Sequence, residues 1–247
     1  MSTTTVRRPV AGGQTYSLSP RTIARAGGLH AVGVFVLLAG AFLPIADFFI
    51  VNVALPTINR TLHATGPTLQ LIVAGYGVAY AAVLVLGGRL GDRFGRRRLF
   101  EAGLLCFILA SLACGLSPSI WFLVAARIVQ GAAAAMLVPQ VLATMHATLE
   151  GERKGRALAL YGATSGIAAV VGQLAGGLLV QANIAGTSWR PIFLINIPLG
   201  LTVLAVARHV IPSTRSEARV KLPSSATATK CASCRSSIRR PTRASSL

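Results

Sequence analysis

Long apolar blocks separated by short polar stretches dominate the chain between residues 29 and 211. Six blocks run approximately from Leu29 to Ala54, Leu69 to Gly88, Leu99 to Gly115, Ile120 to Met145, Ala157 to Val180 and Pro191 to Val210. Each is close to the roughly 17–25 residues that an α-helix needs to cross about 30 Å of hydrocarbon at 1.5 Å per residue. None shows the period-two polar alternation of a barrel strand, and each is about twice as long as one. The pattern predicts an all-α membrane protein with a six-helix transmembrane domain over 29–211 and no room for a soluble domain. The first block follows 28 mostly polar residues and is too long for a signal-peptide core, so it reads as a retained span with no cleaved leader.

Composition agrees, since 53% of the residues are apolar and only 12% charged, far fewer charges than a soluble domain carries. The net charge of +18 raises the question of nucleic acid, and the placement of the basic residues answers it. Arg7, Arg8, Arg21 and Arg25 lie in the leading tail, Arg89, Arg93, Arg96, Arg97 and Arg98 after the second block, and Arg153, Lys154 and Arg156 after the fourth. The intervening loops hold only Arg60 and Arg190. Basic short loops stay cytoplasmic, which predicts both termini inside a cell (plasma or inner) membrane and Trp121 and Trp189 at the outer interface. The charges orient the chain among membrane lipids and form no contiguous basic face for nucleic acid.

Asp47 stands inside the first block, where an unpaired carboxylate costs several kcal/mol. Pro44, three residues earlier, cannot donate to the Gly40 carbonyl and is expected to kink the helix toward an interior cavity. In the fourth block Arg127, Gln130, Gly131 and Ala134 follow one helical face. Counted from the outer ends of their helices, Asp47 and Arg127 each lie about seven residues in, or about 10 Å, so they reach similar depth. The arginine stays charged at any relevant pH, and a proton or a cationic substrate then competes with it for the carboxylate. The alternatives are a packing kink with an interfacial acid, and a snorkelling arginine or structural ion pair.

After the second block the chain reads Gly87-Gly88-Arg89-Leu90-Gly91-Asp92-Arg93-Phe94-Gly95-Arg96-Arg97-Arg98. Gly88, Gly91 and Gly95 permit a tight turn and close helix approach, Asp92 can cap or pair with a helix end, and Arg93 and Arg96 are among the inside-positive anchors. This loop resembles the signature of the major facilitator superfamily, in which it latches two half-domains in the outward-facing state. Arg127, Gln130 and Gly131 resemble the fourth-helix motif that the family associates with proton transfer. The run Asp47 to Pro56 and the run Trp189-Arg190-Pro191-Ile192-Phe193-Leu194-Ile195-Asn196-Ile197-Pro198-Leu199-Gly200 are similar to the first-helix signature and the start of helix six in drug/proton antiporters with fourteen spans. Gly162, Gly166, Gly172, Gly176 and Gly177 look like the fifth-helix antiporter motif, where small residues let backbones approach closely. Gln173 replaces that motif's proline and puts its kink in doubt.

The resemblance implies one half of a transporter, with proton-coupled efflux of hydrophobic or cationic small molecules, multidrug type, and with protons and a small-molecule substrate as partners. After Pro212 the chain turns to Ser, Thr, Ala and Arg, so 212–247 is expected to be a disordered basic tail and 1–28 a disordered cytoplasmic one. The apolar pattern ends near Ile211, where a family member continues into a second helix set. The tail reads either as a shifted reading frame or as the end of a truncated gene. Three readings compete: a half-transporter pairing with a second copy, a non-functional remnant, and a membrane-anchored binding protein using Arg235, Arg239, Arg240 and Arg243.

An enzyme is not expected, for no nucleophile and base set or phosphate-cradling loop is present. No metal or cofactor is expected either: His30, His63, His146 and His209 lack ligand spacing, Cys106 and Cys114 read as small apolar residues, and Cys231 and Cys234 form a single CxxC. The topology is testable by fusing alkaline phosphatase, which is active only outside the cytosol. Fusion after Thr65 is expected to be active and fusion after Gly95 inactive; the reverse result overturns the orientation.

Overall fold

In the computed structural model, residues 31–183 and 186–210 are described. They fall within the first of two units, Met1–Arg215, while the second, Ser216–Leu247, lies outside the described residues. The expected tails, His30, Cys231 and Cys234 therefore also lie outside them. The helices are α1 (Ala31–Leu62), α2 (Gly66–Phe94), α3 (Arg96–Gly115), α4 (Ile120–Thr148), α5 (Gly151–Ala182), α6 (Pro191–Leu194) and α7 (Asn196–Val210). With α6 and α7 counted together, the described residues form six helical spans long and apolar enough to cross a membrane.

The helices outrun the apolar blocks. α1 continues about two turns beyond Ala54 through Thr57, Asn59, Arg60 and Thr61. Its polar end is held by Trp189, whose Nε1 donates to Thr61 Oγ1 at 2.7 Å. α5 begins at Gly151 because its charged first turn is itself helical, with Arg156 paired to Glu152 at 2.7 Å. Between α6 and α7, Ile195 keeps right-handed helical backbone angles and donates to the Pro191 carbonyl at 3.0 Å, so the sixth span continues through it. Trp189 is buried, edge-to-face against Phe193 at 6.0 Å. Trp121 is 63% exposed.

Packing follows the small residues. α1 lies along α5, and α4 lies along both α2 and α3. A Cβ at Gly172 would stand 2.5 Å from the Ala46 carbonyl oxygen, and one at Gly176 would stand 2.8 Å from that of Ile50. Across the other crossing, a Cβ at Gly131 would strike the Tyr76 carbonyl, and one at Gly87 the Ala135 carbonyl. The two crossings are counterparts: the first helix of each three-helix set packs on the second helix of the other set. Such an arrangement fits an inverted three-plus-three repeat. Gly162 and Gly166 meet nothing within 4 Å, so close packing within these helices rests on Gly172 and Gly176. α5 runs unbroken past Gln173, which is exposed.

Two apolar cores result. One gathers Leu37, Phe100, Leu104, Phe107, Leu137 and Met145; the other gathers Ile50, Ile58, Ile72, Leu123, Trp189 and Phe193. Between them α1, α3, α4 and α7 each contribute buried polar side chains. Gly172→Val and Gly131→Val are each expected to cost about 1–3 kcal/mol or more through overpacking, while Gly166→Val stays within about 0.5 kcal/mol. Thermal unfolding in detergent reads the difference, and equal melting of all three variants would contradict the packing described.

Candidate functional site: a buried carboxylate and guanidinium between two apolar cores

The side chains at that crossing are Asp47 from α1, Ser111 from α3, Arg127 and Gln130 from α4, and Asn196 from α7, all buried. Arg127 Nη1 donates to Asp47 Oδ2 at 2.5 Å and to Gln130 Oε1 at 2.9 Å. Gln130 Nε2 donates to Asp47 Oδ1 at 3.1 Å and to Ser111 Oγ at 3.2 Å. Asn196 Nδ2 reaches the same two oxygens, Asp47 Oδ1 at 2.7 Å and Ser111 Oγ at 3.0 Å. Ser111 Oγ in turn donates a hydrogen bond to the Phe193 carbonyl at 2.9 Å. The carboxylate thus accepts from three side chains on two other helices, the compensation a charge needs in a low-dielectric interior.

The guanidinium is held as closely. Its Nε donates to the Ile72 carbonyl at 3.4 Å, and its central carbon lies 4.2 Å from the Tyr76 ring centroid, within cation–π range. Nη2 is buried without a hydrogen-bond partner. The Tyr76 hydroxyl donates to the Pro44 carbonyl at 3.0 Å, so α2 reads the region of α1 around Pro44 through a side chain. Cys114 Sγ donates to Gln130 Oε1 at 3.5 Å, which makes it more than an apolar filler.

Asp47 lies at the middle of α1, about 23 Å from either end, rather than about 10 Å from the outer one. The discrepancy follows from the polar extension of α1, which moves its outer end away from the apolar block. Arg127, seven residues into α4, nevertheless reaches it directly. Beside the pair, a cavity of about 290 Å³ is lined by Pro44, Phe48, Phe49, Tyr76, Gly77 and Tyr80. Asn196 and Ser111 were not singled out from the sequence. The signal for Asn196 was a lone amide in an apolar span two residues before Pro198, while Ser111 resembles any small residue.

At the opposite end of α2 the loop residues act on helix ends. Gly95 is the sole residue between α2 and α3 and takes φ +99°, a conformation that favours glycine. A Cβ at Gly91 would strike the Gln140 side chain, whose Nε2 donates to the Gly87 carbonyl at 2.9 Å. Arg96 bridges Asp92 at 3.2 Å and donates to the Ala143 carbonyl at 2.8 Å. Arg93 lies over Phe94, and Gly88 faces open space. At the other end of the fold, Arg190 donates to the Gly115 and Ser117 carbonyls at 3.0 and 3.1 Å, closing the end of α3.

A family model described as the Major Facilitator Superfamily matches residues 37–245. An uncharacterised MFS-type transporter of Mycobacterium tuberculosis is 37% identical over 85% of this chain and 34% of its own length. A puromycin resistance protein of Streptomyces alboniger is 41% identical over 77% of this chain and 37% of its own length. A probable actinorhodin transporter of Streptomyces coelicolor is 36% identical over 75% and 32%. The chain therefore spans about a third of the length of these curated relatives. Among solved structures, a peptide transporter in complex with sulfate superposes with a TM-score of 0.65 at 14% identity, over 90% of this chain and 48% of that one. The inward-open xylose transporter of E. coli gives 0.61 at 17% identity, over 73% and 48%.

Removing one partner of the buried pair strands the other. Arg127→Leu is expected to lower stability by about 3–5 kcal/mol, and Asn196→Ala by about 1.5–3 kcal/mol through loss of a hydrogen bond to a charge. In a double-mutant cycle with Asp47→Asn, both changes are expected to be less than additive. Strict additivity in detergent melts would contradict the network.

Proposed function

The chain belongs to the Major Facilitator Superfamily, and on that footing we propose that it carries out proton-coupled efflux of hydrophobic or cationic small molecules, with Asp47 as the proton-binding group. The observation that supports this most is the wholly buried Asp47–Arg127 pair, held by Gln130 and Asn196 beside an aromatic-walled cavity. Ionised Asp47 satisfies Arg127; protonated Asp47 leaves the guanidinium without its counter-charge. A stranded buried charge costs about 3–5 kcal/mol, enough to shift a two-state equilibrium about a hundred-fold or more. Proton binding is in this way converted into movement of α4 against α1. Phe48, Phe49, Tyr76 and Tyr80 offer π-faces to a lipophilic cation, which competes with the proton for the same carboxylate.

The multi-pass membrane architecture is given by the six apolar spans and the family. Both termini on the cytoplasmic side, tails at 1–28 and 212–247, and a second half-transporter completing the substrate cavity belong to the same proposal. Gly91, Gly95 and Arg96 join α2, α3 and α4 on the side assigned to the cytosol, and Gly172 and Gly176 set the α1–α5 crossing beside Asp47. The puromycin and actinorhodin proteins among the relatives suit an exported organic substrate.

The test is proton-gradient-dependent efflux of a lipophilic cationic dye from cells expressing this chain, against Asp47→Asn and an empty vector. Efflux abolished both by an uncoupler and by Asp47→Asn, a loss of at least about tenfold for a transition worth 1.4 kcal/mol or more, supports the proposal. Efflux equal to the empty vector, with the protein confirmed in the membrane, rejects transport by this chain alone.

A further inference from the structure

A second, larger cavity of about 1290 Å³ lies between the first half of α1, the start of α5 and the middle of α7. Its volume exceeds the roughly 300–1,000 Å³ typical of a drug-sized pocket. The walls are almost wholly apolar, with Phe35, Leu38, Phe42, Leu160 and Leu199 prominent. Phe35 is 71% exposed, Leu160 52% and Leu199 47%, so the cavity is a groove open along its apolar side. Thr202, a polar residue in its wall, spends its hydroxyl on the Pro198 carbonyl at 2.8 Å.

Charge is confined to one end. Arg153 and Arg156, on the first turns of α5, line the groove at the level where α1 begins. Arg156 shares its guanidinium with Glu152, whereas Arg153 has no hydrogen bond or ion pair among the described residues. From Ala31 to Leu43 the groove follows α1 for about 18 Å, close to the roughly 15 Å of one leaflet's hydrocarbon. One charged end, one apolar length and one leaflet's depth together match a single phospholipid. Two guanidiniums at the mouth favour a phosphate-bearing anionic headgroup over a zwitterionic one.

We propose that the α1–α5–α7 groove is a binding site for an anionic phospholipid, with the acyl chains along Phe35, Phe42, Leu160 and Leu199 and the headgroup phosphate at Arg153 and Arg156. The site is independent of the transport chemistry at Asp47.

The experiment is native mass spectrometry of the full chain in detergent after exchange against equimolar phosphatidylglycerol and phosphatidylcholine. The unaltered chain is expected to retain phosphatidylglycerol preferentially. Arg153→Gln with Arg156→Gln lowers that preference roughly thirty-fold, the equivalent of two basic contacts, while Arg153→Lys with Arg156→Lys keeps most of it. Ala39→Trp, which narrows the groove without touching charge, lowers retention with both arginines present. Asp47→Asn retains lipid like the unaltered chain, which separates this outcome from any failure of transport. Equal retention of the two lipids, or a preference unchanged in the double glutamine variant, overturns the proposal. So does retention that appears only after residues 1–28 or 212–247 are deleted, which assigns the groove to the chain's own tail. A dimer dispersed by Ala39→Trp and indifferent to phosphatidylglycerol assigns it to a second copy, and overturns the proposal likewise.

Discussion

A carboxylate and a guanidinium cannot be left unpaired among apolar helices, and the arrangement of α1, α3, α4 and α7 answers to that requirement. Taking either ion alone out of water costs several kcal/mol even after relaxation. Asp47 and Arg127 must therefore find each other, and further bonds come from Gln130 to both ions, from Asn196 to the carboxylate and from the Ile72 carbonyl to the guanidinium, with Ser111 bonding Gln130 and Asn196 in turn. Their convergence fixes the rotation of four helices about their own axes. Apolar packing alone would not do so, because lipid tails are as apolar as leucine and offer helices little reason to choose one face over another.

The two apolar cores follow from this. On each side of the polar layer the same helices meet through large side chains, Phe100 and Phe107 on one side and Ile58, Trp189 and Phe193 on the other. Where helices cross near the layer, glycines remove the bulk that would hold charged groups apart. Gly131 against the Tyr76 backbone brings α2 near Arg127, and Gly172 against Ala46 brings α5 next to the residue preceding Asp47. Close packing and charge pairing are thus a single constraint seen from two directions.

Much of this was legible in the residues. The six spans follow from apolar length, and Asp47 and Arg127 stand out because hydrocarbon tolerates few charges. What the sequence concealed falls outside the hydrocarbon or depends on partners far along the chain. The helical extension through Asn59 and Arg60 is invisible to apolar counting, since nothing forces a polar segment to stop being helical at the membrane surface. That Thr61 takes the Trp189 N–H, 128 positions away, is likewise hidden in the sequence. Asn196 lies 149 positions from Asp47, and its meaning appears only when the fold brings the two side chains together. Gly162 and Gly166 show the opposite failure: small residues at suggestive spacing that meet no neighbour among the described residues.

Gly95 allows no slack. With a single residue between Phe94 and Arg96, the ends of α2 and α3 stay within about 7 Å of each other whatever the rest of the fold does. Arg96 ties the same corner to the Ala143 carbonyl of α4. Three helix ends are in effect riveted into one plate. Asn196, which holds the carboxylate, also bonds Ser111, about 22 Å along α3 from that corner. A molecule built in this way behaves as a lever with its fulcrum at the riveted corner: a small displacement at the buried charge grows with distance from that corner, and reaches its largest amplitude at the far rim.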